Sequence, residues 1–106
     1  MTARAVKTPI AAREFRRRAE YLYDISPATA SRFLRAAEWT FQRLAEMPGL
    51  GGRCEFRNPE FADIRVFPIK RFPKYLVFYR PIPDGVLIIR ILHSSQDIES
   101  IFESMD

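Results

Sequence analysis

The sequence contains few of the residues that build catalytic or covalent sites. It has one cysteine, Cys54, and one histidine, His93, so neither an internal disulfide nor a zinc site of several Cys and His ligands is available. It has 4 glycines, and no segment matches a Gly-rich phosphate-binding loop. We therefore expect neither a metal ion nor a cofactor.

Long apolar runs are also missing. No stretch approaches the roughly 18 apolar residues of a membrane span, and no apolar segment follows Arg4 and Lys7 as it would in a secretory signal. Hydrophobic residues at 47% and charged residues at 28% are ordinary for a folded protein. The length of 106 residues suits one hydrophobic core, so we expect a single domain over residues 1–106, in the cytoplasm and without membrane contact.

Charge is distributed unevenly along the chain. Residues 1–94 hold all 17 Lys and Arg against 9 of the 13 Asp and Glu, which makes this part about +8. The last twelve residues hold four acidic residues and no basic one. A basic body attracts polyanions, and charge alone does not distinguish nucleic acid from an acidic protein segment.

Two helix starts lie close together in the first half of the sequence. Thr8-Pro9 and Ser26-Pro27 each combine a capping side chain with a proline that fits the first helical turn. The first helix is expected to run to about Asp24 and the second to end before Pro48-Gly49. So short a connection predicts an antiparallel helix hairpin. The apolar stripes at helical spacing are Phe15, Ala19, Leu22 and Tyr23, then Ala30, Phe33, Leu34, Ala37, Phe41 and Leu44.

Most of the β-branched and aromatic residues lie in residues 64–93, which predicts a small antiparallel sheet. Its three apolar runs cover residues 64–69, 75–80 and 86–92. Pro-Asp-Gly within residues 81–85 predicts a hairpin turn, and residues 70–74 predict a loop. We expect residues 3–7 to form an edge strand and residues 49–60 to form a loop.

The last apolar run has apolar residues on both of its faces, which is typical of a central strand covered on both sides. The helix hairpin would cover one face, and either a partner chain or the C-terminal segment would cover the other. The spacing from Ser94 to Asp97 predicts a capping box for a short last helix. The predicted fold is therefore α+β, with an N-terminal strand, a helix hairpin packed on a small antiparallel sheet and a short C-terminal helix. The apolar side of the last helix would consist of Ile98, Ile101, Phe102 and Met105.

The sheet segment carries the candidate reactive residues. His93 either transfers a proton or only forms capping hydrogen bonds, for example with Asp97. The basic residues of the segment either bind phosphate or form a solvated rim in which Arg90 pairs with a carboxylate. They are Arg65, Lys70, Arg71, Lys74, Arg80 and Arg90.

Trp39 lies about 200° around the second helix from Ala37, opposite the apolar stripe. Arg35 and Arg43 lie one turn before and after it. This pattern predicts an exposed Trp on a basic face, which is typical of a binding hot spot. The alternative is that Trp39 packs under the N-terminal strand or the 49–60 loop. The candidate partner-binding residues are Trp39, Arg35, Arg43, Arg71 and Lys74.

Five motifs accompany the predicted order of elements. They are Ser26-Pro27-x-x-Ala30, Leu44-x-x-x-Pro48-x-x-Gly51, Ile64-Arg65-x-Phe67-Pro68, Phe72-Pro73-x-Tyr75-Leu76-Val77-Phe78-Tyr79-Arg80 and Ile91-Leu92-His93-x-x-x-Asp97. As a set they resemble the RelE/ParE toxin superfamily of bacterial type II toxin–antitoxin systems, and its ParE branch more closely. The resemblance extends over nearly the whole chain, although no single motif is specific.

The resemblance implies a growth-inhibiting toxin that is neutralised by a cognate antitoxin with a flexible acidic tail. Toxin and antitoxin would form a hetero-oligomer that contacts operator DNA only through the antitoxin. ParE-like toxins are associated with poisoning DNA gyrase and have no catalysis of their own. RelE-like relatives instead cut messenger RNA on the ribosome, with basic residues and a Tyr, Glu or His near the chemistry.

The sequence departs from the RNA-cutting pattern at its end. No Lys, Arg or Tyr follows His93, and the acidic tail would repel RNA. We therefore expect a gyrase-binding toxin without catalytic residues. Two alternatives remain open: a ribosome-dependent messenger RNA endonuclease with His93, Arg65 and Arg90 as its active centre, and an inactive remnant that only binds the antitoxin.

Overall fold

A computed structural model describes residues 2–105 and has the predicted α+β architecture. The first half of the chain forms a strand and a pair of helices, and the second half forms the rest of a sheet and a short last helix. Short 3₁₀ turns at Pro48–Leu50 and Pro59–Phe61 flank the second strand. The elements in chain order are β1 (Arg4–Lys7), α1 (Pro9–Ile25), α2 (Pro27–Glu46), β2 (Gly52–Arg53), β3 (Arg65–Ile69), β4 (Phe72–Ile82), β5 (Gly85–His93) and α3 (Ile98–Glu103).

The sheet has five strands in the order β1-β5-β4-β3-β2. Strands β2, β3, β4 and β5 pair with one another in antiparallel fashion, as predicted for the three long ones. Strand β1 pairs in parallel with β5, from Arg4 opposite Gly85 to Lys7 opposite Ile88, so the sheet is mixed. Because β5 lies between β1 and β4, it is the interior strand that its apolar faces predicted.

The helix hairpin forms through the two predicted caps. The Thr8 hydroxyl accepts a hydrogen bond from the Ala11 N–H at 3.1 Å and donates one to the Ile89 carbonyl at 2.9 Å, so it attaches the start of α1 to the sheet. Ser26 ends α1 and also caps α2, where its hydroxyl accepts from the Thr29 N–H at 3.3 Å. One residue therefore separates the helices, and they pack side by side on one face of the sheet.

A β-bulge in β5 changes which residues face the helices. Phe78 of β4 pairs with Arg90, whereas Tyr79 pairs with Ile88, so Ile89 is an extra residue in β5. The extra residue shifts the alternation of side chains by one position. Ile91 consequently joins the core on the helix side instead of the opposite face, where strict alternation would place it.

The second face of the sheet is covered by the C-terminal segment, one of the two predicted possibilities. Phe102 of α3 is buried there against Phe78 and Phe61, and Phe56 stacks on Phe102 with ring centroids 4.2 Å apart. The predicted capping box was wrong in its detail. Asp97, rather than Ser94, caps α3, since its carboxylate accepts from the Ser100 N–H at 3.2 Å.

Several predicted boundaries and core positions differ from the structure. The 70–74 loop is only the two-residue turn Lys70-Arg71, because Phe72 already pairs with Ile69. Tyr23 and Leu34 were assigned to the buried stripes but are 60% and 41% exposed. The contact between α1 and α2 therefore buries fewer residues than the apolar stripes predicted. None of the helices within residues 2–105 has the length and apolar character required to cross a membrane.

Candidate partner-binding site

An open groove of about 490 Å³ lies between α2 and the turn that joins β3 to β4. We call it the cationic groove. No Asp or Glu is among the described residues that line it. Those residues are Arg32, Arg35, Ala36, Trp39, Lys70, Arg71 and Phe72.

Trp39 is 47% exposed at this groove, so the alternative that it packs beneath the N-terminal strand or the 49–60 loop was wrong. The Lys70 ammonium lies 4.1 Å from the centroid of its ring, and the Arg43 guanidinium carbon lies 5.6 Å from it. Each contact is a cation–π interaction, which holds a mobile basic side chain in a defined place. The indole therefore positions two positive charges at the surface.

Thr40 of α2 holds the β3–β4 turn, Lys70-Arg71, against the helix. Its buried hydroxyl donates to the Ala36 carbonyl at 2.8 Å and accepts from the Lys70 N–H at 3.1 Å. The residue after Lys70, Arg71, has a φ of 69°, a left-handed conformation that costs a non-glycine residue of the order of 1–2 kcal/mol. The strained turn is thus held in place on the helix beside Trp39.

The structure brings together most of the predicted partner-binding residues. Arg35, Trp39 and Arg71 line the cationic groove, and Arg43 joins them through its contact with Trp39. Lys74 does not line the groove; it is an exposed residue of β4, near the strand end where its carbonyl accepts from the Ser94 N–H.

Two further groove residues, Arg32 and Lys70, were not among the predicted partner-binding set. Arg32 lies seven residues before Trp39, and this two-turn spacing could have placed it on the same helix face. The position of Lys70 depends on its contact across the fold with Thr40, which no local sequence pattern predicts.

A second groove follows the seam between α1 and α2 and is almost wholly apolar. It measures about 410 Å³. Tyr23 and Leu34, the two stripe residues that the hairpin leaves exposed, form part of its wall, and Phe15 forms part of its floor. The sequence signal for this groove was that the apolar stripes contain more residues than the contact between α1 and α2 buries.

The three residues of the alternative active centre have separate partners. Arg65 donates to the Gly51 carbonyl at 2.6 Å, close to where the Tyr79 hydroxyl accepts from the Gly51 N–H and donates to the Pro48 carbonyl. Arg65 therefore fixes the segment that follows α2. No hydrogen bond or ion pair within residues 2–105 joins Arg65, Arg90 and His93 to one another.

Arg90 forms a two-pronged ion pair with Glu14 of α1, with its shortest N–O distance 2.7 Å. The same carboxylate accepts from the Ile91 N–H at 3.1 Å, in the stretch of β5 that follows the bulge. The two side chains are only 12% and 18% exposed. Of the two roles that the sequence allowed for Arg90, the structure shows pairing with a carboxylate.

The imidazole ring of His93 makes its hydrogen bonds with Ser95 rather than with Asp97. Its Nδ1 accepts from the Ser95 N–H at 3.1 Å and lies 2.7 Å from the Ser95 hydroxyl. Because a backbone N–H can only donate, Nδ1 carries the lone pair and the neutral ring holds its proton on Nε2. In this arrangement Nε2 is a hydrogen-bond donor.

The Cys54 thiol and the Tyr79 hydroxyl have raised pKa values. Burial raises the pKa of the Cys54 thiol from 9.0 to about 11. Burial also raises the pKa of Tyr79, although its hydrogen bond from Gly51 and the charge of Arg65 oppose the change. Both groups therefore stay protonated at neutral pH. Within residues 2–105, no three His, Cys, Asp or Glu side chains are grouped as a metal site requires.

The arrangement of strand, helix hairpin and sheet also occurs in a solved structure. A solved structure described as the chromosomal ParDE TA system from P. aeruginosa is similar to this chain, with a TM-score of 0.66 at 18% sequence identity. The similarity covers 88% of this chain and 96% of that chain. At this identity the likeness establishes the fold alone.

Family membership follows from the sequence itself. The family model described as the ParE toxin of the type II toxin–antitoxin system, parDE, matches residues 6–98. The chain therefore belongs to the ParE toxin family, as its motifs predicted, and membership of a ParDE system implies a cognate antitoxin. No curated protein matched the chain.

Proposed function

We propose that this ParE-family toxin inhibits growth by binding and poisoning DNA gyrase, and that its cognate antitoxin neutralises it through an acidic tail. The observation that carries the proposal is the cationic groove. It places Arg32, Arg35, Lys70 and Arg71 around an exposed Trp39, and no described acidic residue lines it. Exposed Trp and Arg residues are the types that contribute most to binding, and the charges suit a negatively charged partner.

The environment of His93 supports binding rather than RNA cleavage. A general base must present an unprotonated atom to the substrate, whereas the lone pair of His93 faces Ser95. The two arginines that would hold the phosphate are engaged with Gly51 and with Glu14. An endonuclease centre at these residues would first require each of these contacts to break.

The deciding experiment measures supercoiling by purified gyrase in the presence of the purified toxin. We expect inhibition, and we expect it to weaken at least tenfold in the Trp39→Ala variant. Arg13→Gln, which removes an exposed charge on α1 outside the cationic groove, serves as the matched control and should inhibit like the wild type. Unimpaired gyrase together with codon-specific cuts in messenger RNA would refute the proposal in favour of the RelE-like mechanism.

Neutralisation is tested by adding the cognate antitoxin to the same reaction. Full-length antitoxin should restore supercoiling, and a form without its acidic segment should restore it less. If induction of the toxin alone does not slow growth, the chain is an inactive antitoxin-binding remnant.

A further inference from the structure

We infer that the cationic groove binds the phosphate backbone of DNA, so that the toxin contacts the DNA that gyrase holds as well as the enzyme. The inference rests on the proposed function because gyrase is what brings the toxin and DNA together. It concerns one surface, made of α2 and the β3–β4 turn. Its basic residues are Arg32, Arg35, Arg43, Lys70 and Arg71.

None of these five cations is engaged by an acidic residue that the structure describes. The ion pairs within residues 2–105 are Arg4 with Asp84, Arg80 with Asp63 and Arg90 with Glu14, and none lies in the groove. Arg32 has a hydrogen bond, but its partner is the neutral hydroxyl of Thr29. Positive charges that share one surface and have no described acidic partner repel one another, and an anionic ligand reduces that repulsion.

The cations beside Trp39 supply the donors that phosphate oxygens need. Lys70 and Arg43 contact the Trp39 ring, which keeps 47% of its surface exposed. Phe72, at the same groove, packs edge-on against Phe33 at 5.3 Å. The N–H groups of the basic side chains can donate to phosphate oxygens, which require no apolar pocket.

The spacing of the cations suits a long polyanion with regular charges. Arg32 and Arg43 are eleven residues apart on α2, which corresponds to about 16 Å along the helix axis. Measured along the axis of a duplex, that length covers about five base-pair steps at roughly 3.4 Å each, so the row can reach several phosphates at once. Lys70 and Arg71 approach the same row from the turn, whose position Thr40 fixes. The site is thus organised before any ligand arrives.

The experiment measures binding of a fluorescently labelled 20-base-pair duplex by anisotropy from 50 to 200 mM salt. Five phosphate contacts predict a slope of log K against log salt of about −4.5, or about a 500-fold loss of affinity over that range. Trp39 is the protein's single tryptophan, so its emission reports whether the duplex occupies this groove. We expect the emission to change in step with the anisotropy.

The test variant is Lys70→Gln with Arg71→Gly, which removes two charges and gives the left-handed position the residue that tolerates it. The slope should fall to about −2.7. The control, Arg13→Gln with Arg16→Gln, removes the same charge from α1 and should leave the slope unchanged. Equal slopes in the test and control variants would overturn the inference, as would duplex binding that leaves Trp39 emission unaltered.

Three outcomes distinguish this inference from an acidic protein ligand and from the proposed function. Tighter binding of a 20-residue polyglutamate than of the duplex at the same salt would overturn the inference in favour of an acidic protein ligand. A Lys70→Gln, Arg71→Gly variant that inhibits gyrase like the wild type would overturn it while leaving gyrase poisoning intact. Duplex binding with the expected slope by a toxin that does not inhibit gyrase would refute the proposed function and support the phosphate site.

Discussion

The ion pair between Glu14 and Arg90 provides a direct test of whether Arg90 is structural or functional. Replacing Glu14 with Gln removes the carboxylate charge but keeps a side-chain oxygen that can still accept from the Ile91 N–H. Arg90 then remains in the protein, 12% exposed, without its counter-charge. The change therefore isolates the ion pair from the backbone hydrogen bond.

The expected loss follows from the burial of the pair. Removing one partner of a fully buried ion pair costs about 3–5 kcal/mol. Because Glu14 and Arg90 keep 18% and 12% of their side-chain surface exposed, we expect about 2–3 kcal/mol. For a domain of this size that loss corresponds to a fall in Tm of about 10–20 °C. Adding Arg90→Met removes the unpaired charge, so the double variant should lose less than the two single losses combined.

Urea denaturation followed by circular dichroism measures these losses. Glu20→Gln, an exposed change on the same helix, is the control and should alter stability by less than about 0.5 kcal/mol. A loss below that value for Glu14→Gln would refute the structural role of the pair. The double variant should also remain toxic. A folded double variant without toxicity would show that Arg90 acts in the toxic mechanism.

Three further predictions concern single residues. His93→Ala should retain toxicity, because the ring is hydrogen-bonded to Ser95; lost toxicity with an unchanged melting curve would assign His93 a functional role. Trp39→Ala should cost about 1 kcal/mol through its two cation–π contacts, and a loss above about 3 kcal/mol would mean that Trp39 belongs to the core. The raised pKa of Cys54 means that the unfolded thiol ionises before the folded one, so stability should be complete below pH 9 and fall as pH rises towards about 11. The test compares the urea midpoints of the wild type and Cys54→Ala across pH 7–11. An equal decline in both proteins would contradict the prediction.

The helix hairpin could be predicted from the sequence because its signals are local. Thr8-Pro9 and Ser26-Pro27 combine a cap and a first-turn proline within two residues, and both helices begin there. The exposure of Trp39 followed from helical geometry alone, since the residue lies opposite the apolar stripe. Family membership followed from motifs that cover the same elements.

Features that depend on contacts between distant segments could not be predicted. The parallel pairing of β1 with β5 joins residues about 80 positions apart, and nothing in the short β1 sequence selects its direction. The bulge at Ile89 has no local signature, yet it decides that Ile91 faces the helices. Arg90 could be assigned either to phosphate or to a carboxylate until the fold placed Glu14 beside it.

The fold also explains why a basic body and an acidic tail coexist in one small domain. The sheet separates α2, with its cationic groove, from α3, which packs on the opposite face. Glu99 and Glu103 are therefore exposed on the side of the sheet away from Trp39. At physiological salt the screening length is about 8 Å, shorter than the thickness of the layers between them, so the acidic helix weakens the attraction of the groove for an anion only slightly. The acidic tail is thus compatible with an anion-binding groove. Its charge mainly affects molecules that approach the α3 face of the sheet.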